Sequence, residues 1–347
     1  MKIAQGVINI AGQMSTLARE YRKAGHQCSV VDYHPSYMAR PVDVVCPVAS
    51  MPPEDAKRKS TALAREVFRA HEVFALWFST TFMMDGSDLP HYSPAGKRVF
   101  MHHVGSDVRT PSLALEVSKY GECKPVNEGQ QRAHLASIKA HVPVAIVHNQ
   151  AIAHYAADVG YRTTYQVPIP IDLEALTLRE PPSNPRPLVM HAPTSREFKG
   201  TPYILGAVQQ LKAEGLDFDF ELIENMSHAA ALARYRCADL VVDQVRAGGY
   251  GTLSMECAAM GVPCVTHISD WFAPRCPEHP PLIDATPESI KAVLLKCVAE
   301  GCDEVAPRTP VRRRDYVQRY HDARKVAATL LDIYGRETHE AGHHVCW

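Results

Sequence analysis

Gly248, Gly249 and Gly251 stand directly ahead of Thr252–Met260, a run of good helix formers, and directly behind the apolar run Asp239-Leu240-Val241-Val242. A buried strand, a glycine turn and a helix in that order leave the first helical N–H groups pointing back at the turn, where glycine permits close backbone approach. Such a corner binds anions, phosphates above all. Glu256 lies one turn into the helix and offers the same mouth a carboxylate able to accept from sugar hydroxyls. Gly261-Val262-Pro263 ends the helix, and Cys264-Val265-Thr266-His267-Ile268 reads as the next strand. A purely structural strand–turn–helix corner has the same pattern, and the stretch alone does not separate the two.

Other chemistry-bearing residues sit at similar corners. A strand over Arg98 to His103 ends in His102 and His103 and runs into Val104-Gly105-Ser106-Asp107. Gly12, between a first strand and a first helix, is placed to approach a phosphate, although it does not complete a G-x-G-x-x-G fingerprint. His339-Glu340-Ala341-Gly342-His343 has the spacing of a zinc-binding helix, with His344 and Cys346 nearby. Its internal glycine, its terminal position and the lack of a downstream third ligand read as adventitious metal affinity, so no metal site is expected.

Composition narrows the function classes. The 347 residues are 46% hydrophobic, enough for two domains with separate cores, and the formal net charge of −1 gives no basic field for nucleic acid. Arg312-Arg313-Arg314, the tight basic cluster, reads as a solvated helix start. No run of about 18 apolar residues marks a membrane span. The amino-terminal Met1 to Ile10 reads as a strand rather than a signal peptide. Ten cysteines without a Cys-x-x-Cys pair suit reduced core thiols, and a cytoplasmic protein is expected.

The elements that position these corners alternate strand and helix. Strands are expected at Ile3 to Ile10, Gln27 to Tyr33, Val73 to Phe78, Arg98 to His103 and Val144 to Val147, with helices at Ser15 to Lys23, Lys57 to Arg69, Glu128 to Ala140 and Ala151 to Gly160. The proline-rich Pro181-Pro182-Ser183-Asn184-Pro185-Arg186-Pro187 reads as a connector. Beyond it, strands at Leu188, Phe218, Leu240, Cys264 and Leu282-Ile283 alternate with helices at Tyr203 to Glu214, Ser227 to Arg236 and Pro287 to Glu300. A long helix over Arg313 to Tyr334 follows. This α/β pattern predicts two Rossmann-like, doubly wound parallel domains, over 1–167 and 168–312, with residues 313–347 returning to the first. Ligands of such sheets sit outside the carboxyl ends of the strands, so a cleft between the domains is the expected active site.

Three segments together resemble retaining glycosyltransferases of the two-Rossmann GT-B architecture, glycosyltransferase family 4 in particular. Gly249-Tyr250-Gly251 through Glu256, Ala258, Met260, Gly261 and Pro263 resembles the family's donor motif. His191-Ala192-Pro193-Thr194-Ser195-Arg196-Glu197-Phe198-Lys199-Gly200 resembles its basic diphosphate loop, and Gly105-Ser106-Asp107 its amino-domain catalytic corner. The resemblance spans nearly the whole chain.

It implies a hexosyltransferase moving a sugar from a nucleotide diphosphate donor to an acceptor hydroxyl, with retention and without a metal or other cofactor. Arg196 and Lys199 then contact the β-phosphate, and the amides of Thr252 and Leu253 complete the cradle. Glu256 takes the nucleotide ribose, while Asn225 and Met226, after Glu224, lie where the family places the base. Two positions depart from the pattern. The family's first donor-motif acid falls on Gly248, with Asp243 a conceivable substitute, and the histidine before the corner glycine is Val104. Because His102 and His103 point to opposite faces of a strand, only one is expected in the cleft, and His103 is favoured, oriented by Asp107 or beside an acceptor that Asp107 binds. A GT-B sugar epimerase or hydrolase, or a non-catalytic nucleotide-sugar binder, fits the same residues. The base, the sugar, the acceptor and the oligomeric state are not legible.

Overall fold

The computed structural model describes residues 1–121, 126–305 and 309–337. The chain divides into two units, one of Met1–Thr110, Val126–Pro170 and Ala323–Trp347, the other of Pro111–Pro125 and Ile171–Asp322. Each is α/β with a wholly parallel sheet, one of seven strands and one of four.

Chain order in the first unit is β1 (Lys2–Val7), α1 (Gln13–Lys23), β2 (Gln27–Asp32), β3 (Val44–Val45), α2 (Pro53–Ala70), β4 (Val73–Trp77), α3 (Leu89–Tyr92) and β5 (Arg98–His103). Then α4 (Pro111–Val117) departs to the second unit, and α5 (Glu128–Lys139), β6 (Val144–Val147), α6 (Gln150–Ala157) and β7 (Thr163–Gln166) complete the sheet. Strand order is β3-β2-β1-β4-β5-β6-β7, so the winding reverses between β1 and β4. That reversal opens a crevice at the carboxyl ends of those strands.

Sequence alternation builds both faces of this sheet. Along β4, Val73, Ala75 and Trp77 join one buried cluster with Met14, Leu17 and Tyr21 of α1, while Phe74 and Leu76 join another with Ala64 and Val67 of α2. A strand buried on both faces is apolar throughout, as all five residues of β4 are.

The second unit runs β8 (Leu188–His191), α7 (Arg196–Lys199), α8 (Thr201–Ala213), β9 (Asp219–Leu222), α9 (His228–Tyr235), β10 (Leu240–Gln244), α10 (Thr252–Met260), β11 (Cys264–Thr266), α11 (Ile290–Glu300), α12 (Cys302–Val305) and α13 (Pro310–Tyr320). Its strand order is β11-β10-β8-β9. Ile204 and Leu211 of α8 pack with Leu294 of α11 over Val189, Leu240 and Val242. The sheet's middle strands, β10 and β8, therefore carry the glycine corner and the basic loop at their carboxyl ends.

Two expectations change. The segment expected as one helix over Arg313 to Tyr334 is two, α13 and α14 (Ala323–Arg336), parted at His321-Asp322. There the Ile171 amide donates to the His321 carbonyl at 2.7 Å and Ile171 bridges Asp322 in parallel, a pairing that competes with helical hydrogen bonding. Only α14 joins the first unit, where Val326, Leu330, Ile333 and Tyr334, a helical stripe, complete the α1-side core. The strand expected at Leu282-Ile283 reduces to a single bridge between Ile283 and Val265.

Candidate functional site

Across the second sheet, the carboxyl ends of β8 and β10 bring the basic loop to the glycine corner. Lys199 closes α7 and points its Nζ at Asp243 Oδ1, 2.5 Å away, and at Gln244 Oε1, 3.0 Å away. Gln244 in turn donates from Nε2 to the Gly249 carbonyl. The Val245 amide, just past the end of β10, also ties α7 to that strand end by donating to the Lys199 carbonyl at 3.1 Å. Lys199, Gln244 and Gly249 thus form a continuous chain from basic loop to glycine turn. Asp243 is fully buried and also accepts from Ser254 of α10 at 2.5 Å, so its carboxylate is committed inside the unit.

Arg196 sits at the start of α7 and makes a bidentate pair with Glu224, Nε to Oε1 at 2.8 Å and Nη2 to Oε2 at 2.5 Å. This fork matches a carboxylate plane, as it would a phosphate. The bond from Arg196 and its charge hold the Glu224 carboxyl below its ordinary range. Asn225 follows with a left-handed φ of 53°, turning the chain at Met226 towards the Ser227 cap of α9.

The helix α10 opens on Gly251, which provides no side-chain cap. The first-turn N–H groups, including those of Thr252 and Leu253, therefore have no intrahelical carbonyl to meet. Glu256 is buried on α10 and accepts from His228 Nε2 at 2.8 Å. Tyr250 faces the other way: its hydroxyl lies 3.3 Å from His321 Nε2 and 3.4 Å from Tyr316 Oη, and its ring meets Phe272 edge-on.

At Gly248, φ is +76°, and a Cβ would come within 2.7 Å of Ser118 Cβ and 3.1 Å of Ser269 Oγ. That volume is already filled, so no acidic side chain fits. Ser118 belongs to the short stretch after α4 that has crossed to this unit, and it donates to the Arg246 carbonyl at 2.9 Å. Arg246 donates to the Tyr120 carbonyl at 3.3 Å and to the Glu197 carbonyl at 3.2 Å, tying that stretch to α7.

The first unit holds a second group of polar residues at the carboxyl ends of β4 and β5. His103 is fully buried, with Nδ1 2.7 Å from Asp107 Oδ2 and Nε2 2.8 Å from the Tyr161 hydroxyl. Asp107 also accepts from Ser79 Oγ at 3.1 Å and from the amides of Val104 and Gly105 at 3.1 and 3.0 Å. Burial raises the Asp107 carboxyl, but the charge and hydrogen bond of His103, with those amides, outweigh it and hold it below its ordinary range. Asp107 therefore braces the β5 corner.

His102 points to the opposite face, stacked on Trp77 with centroids 4.2 Å apart and bonded through Nε2 to the Tyr334 hydroxyl at 2.7 Å. Burial, with His148 and His103 nearby, holds His102 well below its ordinary value. It is a core residue beneath α14. Gly12 has φ +74° and lies under Arg40, whose Nη1 sits 2.5 Å from where a Cβ would be. The switch-point corner after β1 is thus glycine covered by a guanidinium.

The structure therefore gathers Arg196, Lys199, Gly249, Gly251, Thr252, Leu253 and Glu256 at the second sheet's carboxyl edge. It turns Tyr250 inward and places Gly12, His103 and Asp107 in the first unit. Sequence reasoning missed Gln244, Ser79, Tyr161, His228 and Ser118. Gln244 was accessible to it as a polar residue ending an apolar strand, where ligands of such sheets bind; Ser79, Tyr161, His228 and Ser118 meet their partners only through tertiary folding. Among the described residues no cluster of His, Cys, Asp or Glu has metal-binding arrangement, and His339 to His343 lie outside them. No described helix is long and apolar enough to cross a membrane.

No family model matches the chain, and no curated protein matches it in sequence. Solved structures do. Alr3699/HepE from Anabaena, in complex with UDP-glucose, is 13% identical with a TM-score of 0.67, over 97% of this chain and all of that one. Sucrose-phosphate synthase from Thermosynechococcus elongatus is 12% identical with a TM-score of 0.63, over 97% of this chain and 99% of that chain. The lipopolysaccharide outer core galactosyltransferase WaaB is 11% identical with a TM-score of 0.59, over 97% of this chain and 100% of that one. At these identities the likeness establishes the fold, which is GT-B.

Proposed function

We propose that the protein is a glycosyltransferase that moves a hexose from a nucleotide diphosphate donor to an acceptor hydroxyl, with retention and without a metal ion. The observation that carries this reading is the Lys199–Gln244–Gly249 chain, which places a fixed cation beside a glycine turn and an uncapped helix start. The similarity to structures whose names include UDP-glucose and a galactosyltransferase supports it.

In this reading Lys199, the Arg196 fork and the amides of Thr252 and Leu253 take the diphosphate. Glu256, oriented by His228, takes the ribose, and the turn at Asn225 and Met226 lies against the base. As the anomeric carbon–oxygen bond breaks, negative charge grows on the leaving phosphate, and groups already fixed there stabilise it without reorganising. The acceptor oxygen bonds to the anomeric carbon, and its proton passes to the departing phosphate oxygen. Both ring nitrogens of His103 are engaged by Asp107 and Tyr161, so His103 and Asp107 act by holding the β5 corner and Ser79 in place. The enzyme is proposed to act in the cytoplasm.

Incubation with a panel of UDP-, GDP- and ADP-hexoses, in the presence of a chelator and with sugar acceptors, tests the proposal. A glycoside with the donor's anomeric configuration is expected. Nucleoside diphosphate release independent of acceptor points instead to a hydrolase, an altered hexose without a new glycoside to an epimerase, and binding without turnover to a non-catalytic binder.

A further inference from the structure

A cavity of about 150 Å³ opens in the first unit at the carboxyl ends of β1 and β4, between Val7 and Ser79, where the strand order reverses. One wall comes from His134, Ser137 and Ile138 of α5, and another from the segment after Ser79 that carries Asp85 and Leu89. The Ser79 that lines it is the same Ser79 that donates to Asp107 at 3.1 Å and lies 3.3 Å from His103 Nδ1. Its carbonyl accepts from His134 Nε2 at 2.8 Å. Phe78 and Ser79 both hold left-handed backbone, φ 60° and 52°. Two successive non-glycine residues in that region are strained, and such strain concentrates at ligand sites.

The lining identifies what fits. Its polar groups are hydroxyls, imidazoles and one carboxylate, that of Asp85, and no Lys or Arg lines it. Hydrogen bonds from the Ser87 hydroxyl and amide, aided by Lys57, hold the Asp85 carboxyl below its ordinary range, so the wall carries negative charge. An anionic group entering there would meet a like charge. Val7, Leu89 and Ile138 give an apolar floor for the C–H face of a ring. The volume lies below the roughly 300–1,000 Å³ of drug-sized pockets, which limits the occupant to about one ring.

We infer that this cavity binds one uncharged, hydroxyl-rich ring as the acceptor, and that it discriminates against phosphorylated and carboxylated sugars. The acceptor role rests on the transferase reading above; the binding preference does not. An acceptor hydroxyl directed towards Ser79 lies beside the His103–Asp107 brace, which keeps that serine in its left-handed turn.

Ligand-observed NMR titration of the full chain with methyl glucoside, methyl galactoside, methyl mannoside, glucose 6-phosphate and glucuronate tests the inference. At least one methyl glycoside is expected to bind at least about tenfold more tightly than either charged sugar. Ser137→Trp, a bulky residue on the exposed wall of α5, is expected to weaken that binding at least about tenfold, and Asp85→Lys to strengthen glucose 6-phosphate binding. Glucose 6-phosphate or glucuronate binding as tightly as every glycoside, no glycoside binding, or an unaffected Ser137→Trp variant overturns it. A parallel titration with UDP-glucose, GDP-mannose and ADP-glucose separates the two ideas, because failure of all three weighs against the transferase reading and leaves the cavity result standing on its own.

Discussion

Lys199 reaches from the end of α7 to Asp243 on β10, 2.5 Å away, and the pair is enclosed, with side-chain exposures of 13% and 0%. A cation held by a buried carboxylate stays fixed in one place. Removing it leaves Asp243 charged and enclosed, a loss that typically costs about 3–5 kcal/mol. Lys199→Ala is therefore expected to lower unfolding stability by about that amount in urea titration, and the double variant with Asp243→Asn to recover part of it. Equal stability of single variant and wild type would show that the pair does not hold this edge together.

Arg196 and Glu224 differ from that pair because their side chains are 56% and 27% exposed. Exposed pairs contribute little to stability. Arg196→Ala is expected to leave the denaturation midpoint unchanged while weakening binding of the competent nucleotide sugar about tenfold, the loss of one charge-assisted contact. A shifted midpoint with unchanged donor affinity would make Arg196 a structural residue.

Gly248 has room for no side chain. Gly248→Ala places a Cβ against Ser118 at 2.7 Å in backbone of φ +76°, and a loss of about 1–3 kcal/mol is expected from the strain alone. Pairing it with Ser118→Gly removes the 2.7 Å contact but neither the 3.1 Å approach to Ser269 Oγ nor the φ, so partial recovery is expected in thermal or urea unfolding. Full tolerance of Gly248→Glu in the wild-type background would contradict the packing described.

Acid weakens both units by a common route. Burial pushes His148 in the first unit and His191 in the second down to about 4, opposed by the Val167 and Val242 carbonyls that their Nδ1 atoms face. In the unfolded chain both titrate near about 6.5. Between those values the unfolded state binds more protons, so stability is complete above about pH 6.5 and is lost as pH falls towards about 4. Each site contributes up to about 3 kcal/mol over that window. Urea midpoints measured across it should rise with pH, and the slope should lessen in His191→Gln; a flat profile would place protonated imidazoles in the folded state.

How far these features were legible depended on whether their cause is local. The glycine corner, the Arg196–Lys199 spacing and the bounds of β5 and β6 follow from short-range patterns, and the structure has them in place. Edge strands were missed: β3 and β7 lie at the two ends of the seven-stranded order, where one neighbour suffices and the apolar pattern is weak, as in Thr163-Thr164-Tyr165-Gln166. No glycine or proline marks the break at His321-Asp322, since its cause is Ile171, about 150 residues earlier. For the same reason Ser118 gave no sign that it fills the space beside Gly248.

The central claim is that the carboxyl edge of the second sheet binds a nucleoside diphosphate sugar through Lys199. Calorimetric titration of wild type and Lys199→Ala with UDP-glucose, GDP-mannose and ADP-glucose, in chelator and at a temperature where both are folded, tests it most directly. Saturable binding of at least one donor by wild type and a loss of at least about tenfold in the variant are expected. No binding to any of them, or equal affinity in both proteins, would contradict it.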